Sequence, residues 1–200
     1  MTLSLGRTAL TLALAAGLTF TTAGTAAAES LTVRDARGDV QAYDLETEEP
    51  TGQTGVANGD IVRTVMRHND RRVSVRIKYV DLRKKVGGGR VDVVRVVTNE
   101  GVRRDAYVFA GPGMWRGEAG MSRPNGNPVD CSVTHKIDYE KNVTTLSFPR
   151  TCVSNPRWVR LGVGAMWIKS QASVYYADDA QLDGRVKASS FELSKRLRRG

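Results

Sequence analysis

The chain is expected to fold as an all-β, two-sheet sandwich, jelly-roll-like, with about nine or ten strands and one disulfide. Three observations lead there. Apolar and polar residues alternate over short runs, and almost no segment holds helical spacing for three turns. Clusters of Gly, Pro, Asn and Asp punctuate those runs at regular intervals. The chain also carries two cysteines, Cys131 and Cys152, an even count with no C-x-x-C pair.

Residues 1–28 read as a secretory signal peptide. Arg7 marks the basic start, Ala9 to Phe20 form an apolar stretch, and Ala26 and Ala28 fit the A-x-A cleavage rule ahead of Glu29. A membrane anchor is the competing reading, since Thr8 to Ala28 is uncharged. The strongly apolar part is too short for the ~20 residues a span needs. No cysteine near the cleavage point suggests a lipid anchor, and no arginine pair suggests twin-arginine export. The product is therefore expected to be secreted or associated with the cell wall, with no stable membrane insertion after cleavage.

The remaining residues suffice for one domain with a real core, placed at 29–184 and followed by a basic C-terminal tail at 185–200. Loss of Arg7 with the signal lowers the net charge from +9 to +8. That balance favours anionic partners. A cell-wall glycan or other anionic polymer is expected, and nucleic acid is not. The tail holds Arg185, Lys187, Lys195, Arg196, Arg198 and Arg199 against Glu192 alone, and reads as a loose, solvated end.

Along the mature chain, Leu31 to Arg34 is the first strand, stopped by Asp35 and the turn residues Gly38 and Asp39. A polar loop spans Thr47 to Gly59. Ile61 to Arg67 is a strand, and His68-Asn69-Asp70 is a hairpin turn that should expose His68. In the return strand, Val73, Val75, Ile77 and Tyr79 point one way, while Ser74, Arg76 and Lys78 point the other. After Lys84-Lys85, the run Gly87-Gly88-Gly89 reads as a flexible turn. Val91 to Thr98 is β-branched enough for a central strand, and Val102 to Phe109 returns. Met114-Trp115 is expected to pair near Arg123. Val129 to Asp138 and Val143 to Phe148 form a hairpin with Cys131 and Cys152 near its far ends. A bridge between them closes a loop of about 20 residues and stabilises by roughly 3 kcal/mol. Val159 to Lys169 and Ala172 to Ala177 supply two more strands.

Several of these pieces resemble a known group. They are Asp35-Ala36-Arg37-Gly38-Asp39, Gly59-Asp60-Ile61, Tyr79-Val80-Asp81-Leu82-Arg83, the run Ala110 to Arg116, Pro149-Arg150-Thr151-Cys152, and Asn155 to Arg160. Together they resemble secreted actinobacterial β-sandwich proteins of unassigned role, over most of the mature chain. More distantly, that group is similar to carbohydrate-binding family 9 and DOMON-type domains, which bind sugars or haem. The resemblance implies a jelly-roll-like fold and a non-catalytic role. It transfers no ligand, because no residue here matches a haem-ligand or sugar-site motif.

Candidate sites follow from residue chemistry. Asp35 and Asp39 flank a glycine turn and Asp60 opens the next strand, so three carboxylates could converge on calcium, which takes oxygen ligands at about 2.4 Å. Asp178 and Asp179 are further possible ligands; the alternative is ordinary turn chemistry. Trp115, after Gly111-Pro112-Gly113, is placed for exposure, and a sugar platform would need Tyr175 or Tyr176 beside it. Trp158 and Trp167 read as core. His135 shares the parity of Val133 and Ile137 and should be half-buried at a sheet edge. Neither G-x-S-x-G nor H-E-x-x-H occurs. The leading expectation is a non-catalytic binding module of the cell envelope. Its rivals are a carboxylate-dependent hydrolase and a structural or partner-binding protein marked by a large apolar patch.

Overall fold

In the strand from Arg72 to Tyr79, Val73, Val75, Ile77 and Tyr79 are all buried, and this one face organises the interior of the protein. The computed structural model describes residues 29–53, 55–84, 88–169, 173–183, 186 and 191–200. Residues 1–28, expected from the sequence to be a signal peptide, lie outside the described residues, as do Lys85, Gly87, Ala172, Arg185 and Lys187.

The strands are β1 (Glu29–Arg34), β2 (Gln41–Asp44), β3 (Pro50–Gln53), β4 (Ile61–His68), β5 (Arg72–Tyr79), β6 (Gly88–Thr98) and β7 (Arg103–Ala110). They continue with β8 (Glu118–Ser122), β9 (Thr134–Asp138), β10 (Val143–Pro149), β11 (Trp158–Lys169), β12 (Val174–Asp179) and β13 (Leu197–Arg198). A short 3₁₀ turn, Arg150–Val153, is the helical element among the described residues. The strands form two antiparallel sheets. One has five strands in the order β1-β4-β5-β10-β9; the other has eight, β3-β2-β12-β11-β6-β7-β8 with β13 paired to β11.

This is the all-β sandwich expected, more finely divided. The additional strands β2, β3 and β13 are short, and β3 lies inside the expected polar loop. Gly88 and Gly89 belong to β6 rather than to a turn; a Cβ on Gly89 would come within 2.8 Å of the Phe109 ring. Met114 and Trp115 sit in a turn, and β8 forms the strand beside β7.

The core lies between the sheets. Ile61, Met66, Leu146 and Phe148 from one sheet meet Val94, Val96, Leu161 and Val163 from the other. Each large aliphatic side chain buried there is worth roughly 1.5–3 kcal/mol of transfer free energy. Inside this apolar layer sits one ion pair, Arg90–Asp92, with Asp92 fully buried. The Arg90 guanidinium lies 4.7 Å from the Tyr79 ring centroid. Burial first, and then the Asp92 charge, push the Tyr79 phenol well above its ordinary range, so it remains neutral.

Cys131 and Cys152 are bonded, their Cα atoms 5.6 Å apart, one before β9 and one within the 3₁₀ turn after β10. The bridge staples the far ends of that hairpin, as the sequence suggests.

Three expectations need correction. His68 is not exposed: it is fully buried, and its Nδ1–H donates to the Leu197 carbonyl at 3.1 Å. Period-two alternation from Met66 carries it inward, and β13 covers it. Trp158 and Trp167 are half-exposed rather than core. Trp158 precedes the inward-facing Val159 and so takes the outer face, and Trp167 lies near the end of β11. The C-terminal segment is also not loose over its described residues 191–200. Phe191, Ser194 and Leu197 are buried, and Leu197 pairs with Val159. On the outer face of β11, Gly162 and Gly164 leave the space that Phe191 fills; a Cβ on Gly162 would stand 2.8 Å from that of Phe191. Asp179 Oδ2 accepts from the Glu192 amide at 2.7 Å, and Arg160 Nε donates to the Ser194 carbonyl at 2.7 Å.

Candidate functional site

Two polar regions stand out, one at each end of the sandwich. The first begins where the chain leaves β1 in the five-stranded sheet and crosses to β2 in the eight-stranded one. This crossing carries Asp35 and Asp39. Gly38 adopts a positive φ of 77° there, which turns its amide toward Asp60, donating to Oδ2 at 2.7 Å. Asp60 is held just before β4, its carbonyl accepting from Val80 N–H at 2.8 Å. On β12, Asp178 faces inward and its Oδ2 accepts from the Ile61 amide at 2.6 Å.

One carboxylate oxygen from each of Asp39, Asp60 and Asp178 lies within 4.8 Å of those from the other two, and all three residues are buried. A second group, Asp35, Asp39 and Asp183, shares Asp39 and runs outward to solvent. Among the described residues, Asp35 Oδ2, Asp60 Oδ1 and Asp178 Oδ1 are buried without a hydrogen-bond donor. Burial, and then the charges of Asp178 and Asp39, push the Asp35 carboxyl up to about 9. Burial raises Asp178 to about 8 against the Ile61 amide, with Asp39 and Asp60 adding to the rise. Burial likewise raises Asp60, opposed by the Gly38 amide. Carboxylates that crowd in a low dielectric cannot all ionise without a compensating charge.

The structure thus brings Asp35, Asp39 and Asp60 together, and it separates the two further candidates. Asp178 joins the group. Asp179, its neighbour on β12, points to the opposite face, where it holds the amides of Gln181 and Glu192. Sequence alone could not choose between them, because the choice depends on which face of β12 is inner.

The aromatic candidates do not share a surface. Tyr175 is buried on the outer face, its ring stacked 5.2 Å from that of Tyr43. Tyr176 takes the other face and stacks on Trp167 at 4.9 Å. Trp115 is half-buried, edge-on to Tyr139 at 6.3 Å, and its carbonyl accepts from the Tyr139 hydroxyl at 2.9 Å. Consecutive strand residues cannot form one platform. His135 is half-buried on edge strand β9, with Nε2 3.1 Å from the carbonyls of both Arg116 and Gly117, so that nitrogen carries the proton.

The second region lies at the opposite end. Arg157, Trp158, Arg196, Arg198 and Arg199 line a groove of about 460 Å³. Strand β13 builds it: Arg198 pairs with Trp158, and the Arg199 amide donates to the Arg157 carbonyl at 2.9 Å. Asn99 Oδ1 fixes the far side by accepting from the Arg157 amide at 2.8 Å and the Trp158 amide at 3.2 Å. The Arg196 guanidinium lies 4.6 Å from the Trp158 ring centroid. Acidic neighbours are few. Arg199 Nε is 3.6 Å from Asp70 Oδ1 in an exposed pair, and Glu29 accepts from the Arg198 amide. The guanidinium forks of Arg157, Arg196 and Arg198 make no carboxylate pair among the described residues.

Sequence reasoning found Arg196, Arg198 and Arg199 but placed them on a loose tail, and it gave Arg157 no part in a site. The signal it passed over was alternation: Leu197, between Arg196 and Arg198, is the inward residue of a short strand. An apolar cleft of about 560 Å³ also lies on the outer face of the eight-stranded sheet, lined by Val91, Phe109, Met166, Ile168 and Tyr175 among others. In comparisons with known proteins, no family model matches the chain, and neither a curated protein nor a solved structure is found similar to it.

Proposed function

We propose that this protein is an exported, non-catalytic binding module of the cell envelope, and that it holds an anionic wall polymer or acidic glycan in the groove of Arg157, Trp158, Arg196, Arg198 and Arg199. The observation that carries the reading is the groove itself: four arginines and a tryptophan gathered where β13 pairs with β11, with exposed guanidinium groups. A guanidinium presents a planar fork of donors that matches phosphate or carboxylate bidentately, and it is less strongly hydrated than an ammonium. Because β13 is paired to β11, the arginines are partly preorganised, and less ordering entropy opposes binding. Residues 1–28 read as an export signal, and the Cys131–Cys152 bridge is of the kind that persists in oxidising compartments. The resemblance to secreted actinobacterial sandwiches, and distantly to sugar-binding ones, points the same way.

The test is co-sedimentation of the protein with purified wall material and with poly(glycerol phosphate), with an uncharged glucan and duplex DNA as comparison ligands. Binding to the acidic wall polymer should fall steeply between low and high salt, since exposed charges are screened over roughly 8–10 Å at physiological ionic strength. Replacing Arg196, Arg198 and Arg199 together by Ala should weaken it at least tenfold. Retention that ignores both salt and the triple substitution would remove the groove from the function. The apolar cleft is the contact surface for the other reading, a partner-binding protein without a small ligand. Phe109→Ser with Ile168→Ser should leave wall binding unchanged if the groove is the site; these side chains are 41% and 45% exposed, so the fold should tolerate the change.

A further inference from the structure

We infer that Asp39, Asp60 and Asp178 bind one hard divalent cation, with Asp35 beside them, and that the ion clamps the two sheets at the edge where β1 hands the chain over to β2. This is independent of the groove, which lies at the other end of the sandwich.

The argument starts from distances. Two oxygens that both sit about 2.4 Å from one calcium ion can be at most about 4.8 Å apart. One oxygen from each of the three carboxylates meets that limit against both others. The side chains are already oriented by the backbone. Gly38 N–H holds Asp60 Oδ2, and Ile61 N–H holds Asp178 Oδ2. In each case the second oxygen, Oδ1, is buried with no donor among the described residues.

That second observation separates this cluster from ordinary surface acids. Asp60 is 2% exposed and Asp178 1%. A buried carboxylate oxygen with no partner forfeits its hydration, and the cost is removed when a cation takes the vacant lone pairs. The donor set is all oxygen, which selects calcium, magnesium or manganese over softer metals. Calcium fits best, because three carboxylates from three separate segments make a flexible shell rather than a rigid octahedron. The Arg37 guanidinium bears on Asp60 from the β1–β2 crossing that also carries Asp39; its side chain is exposed. Asp178 comes from the eight-stranded sheet, Asp60 from the start of the five-stranded one and Asp39 from the crossing between them. An ion there would tie all three.

The experiment is thermal unfolding and calorimetric titration of the chelator-stripped protein with calcium, magnesium and manganese chlorides in turn. Saturable binding of one calcium per chain is expected, with a midpoint raised by about 5–10 °C at a hundredfold excess over Kd. Asp178→Asn and Asp60→Asn keep an oxygen for the backbone amide but remove a charge. Each should weaken calcium binding at least tenfold, yet melt at or above the parent protein in chelator, because like-charge crowding is relieved. Asp179→Asn, on the opposite face of the same strand, should leave calcium affinity unchanged. No heat and no midpoint shift with any of the three cations would overturn the inference without recourse to a variant. So would an Asp178→Asn protein that loses the same stability with calcium as in chelator, since that marks a purely structural carboxylate.

Discussion

The acidic edge and the arginine groove are opposite solutions to holding like charges together. At the groove, Arg196, Arg198 and Arg199 are exposed, so water and salt screen them and their crowding costs little. At the acidic edge, Asp39, Asp60 and Asp178 are buried, so the same crowding is expensive, and the Asp60 and Asp178 carboxyls respond by holding protons more tightly. One end stores its charge as an accessible surface. The other stores it as a demand for a counter-charge. A formal net charge of +9 conceals this, because a sum over the chain ignores burial.

The contrast is sharpest where charge is most deeply buried. Asp92→Ala would leave Arg90 unpaired inside the core, and a loss of about 3–5 kcal/mol is expected in urea unfolding. A loss below about 1 kcal/mol would mean that burial of charge is not what sets the two ends apart. The disulfide comes next. Replacing Cys131 and Cys152 by Ser should cost roughly 3 kcal/mol, read as a shift in the urea midpoint, because the bridge closes a loop near the groove end.

The third effect depends on pH and should appear in chelator alone. Asp35 at about 9 and Asp178 at about 8 lie far above the ordinary carboxylate range, and Asp60 is also raised. Between roughly pH 4 and 9 the folded protein therefore binds more protons than the unfolded chain, and stability must fall as pH rises through that window. Asp179 at about 6 contributes to the lower part. His68 acts with opposite sign: burial lowers its pKa, so the unfolded chain takes up the proton first and stability falls as pH drops below about 6.5. From pH 6.5 to 9 the raised carboxyls remain, among the neighbouring charges of Asp39, Asp183 and Arg37. Urea midpoints should decline over that range in chelator and flatten in calcium. A flat profile in chelator would show that the acidic edge carries no strain.

The smallest effect is at the surface. Arg199→Ala breaks the exposed pair with Asp70 and should change stability by less than about 1 kcal/mol while reducing binding to poly(glycerol phosphate).

What could be read in advance follows the same division. The alternation of Val73, Val75, Ile77 and Tyr79 declares its inner face, because a half-buried strand imposes a period of two on the sequence. The acidic edge was half legible. Asp35, Asp39 and Asp60 stand beside glycines in turns, whereas Asp178 enters by strand register, a long-range fact with no local mark. Strand β2 was hidden for a different reason: Gln41 is buried together with Ala42 and Tyr43, so polarity there does not report which way a side chain faces. The groove was misread because a run of arginines resembles a solvated end. Only its pairing with Trp158 and Val159 gives that run a shape.

The docking of Phe191 over Gly162 and Gly164 has a consequence for the order of assembly. These glycines form a notch in the middle of a sheet, and the residue that fills it comes late in the chain. His68, made near the beginning of the domain, is covered by Leu197, made near its end. The His68 Nδ1–H therefore gains its acceptor only when this later segment docks. Until Phe191 and Leu197 dock, the notch stays vacant and the arginine groove has no wall, so the groove takes shape only as the core beside it closes.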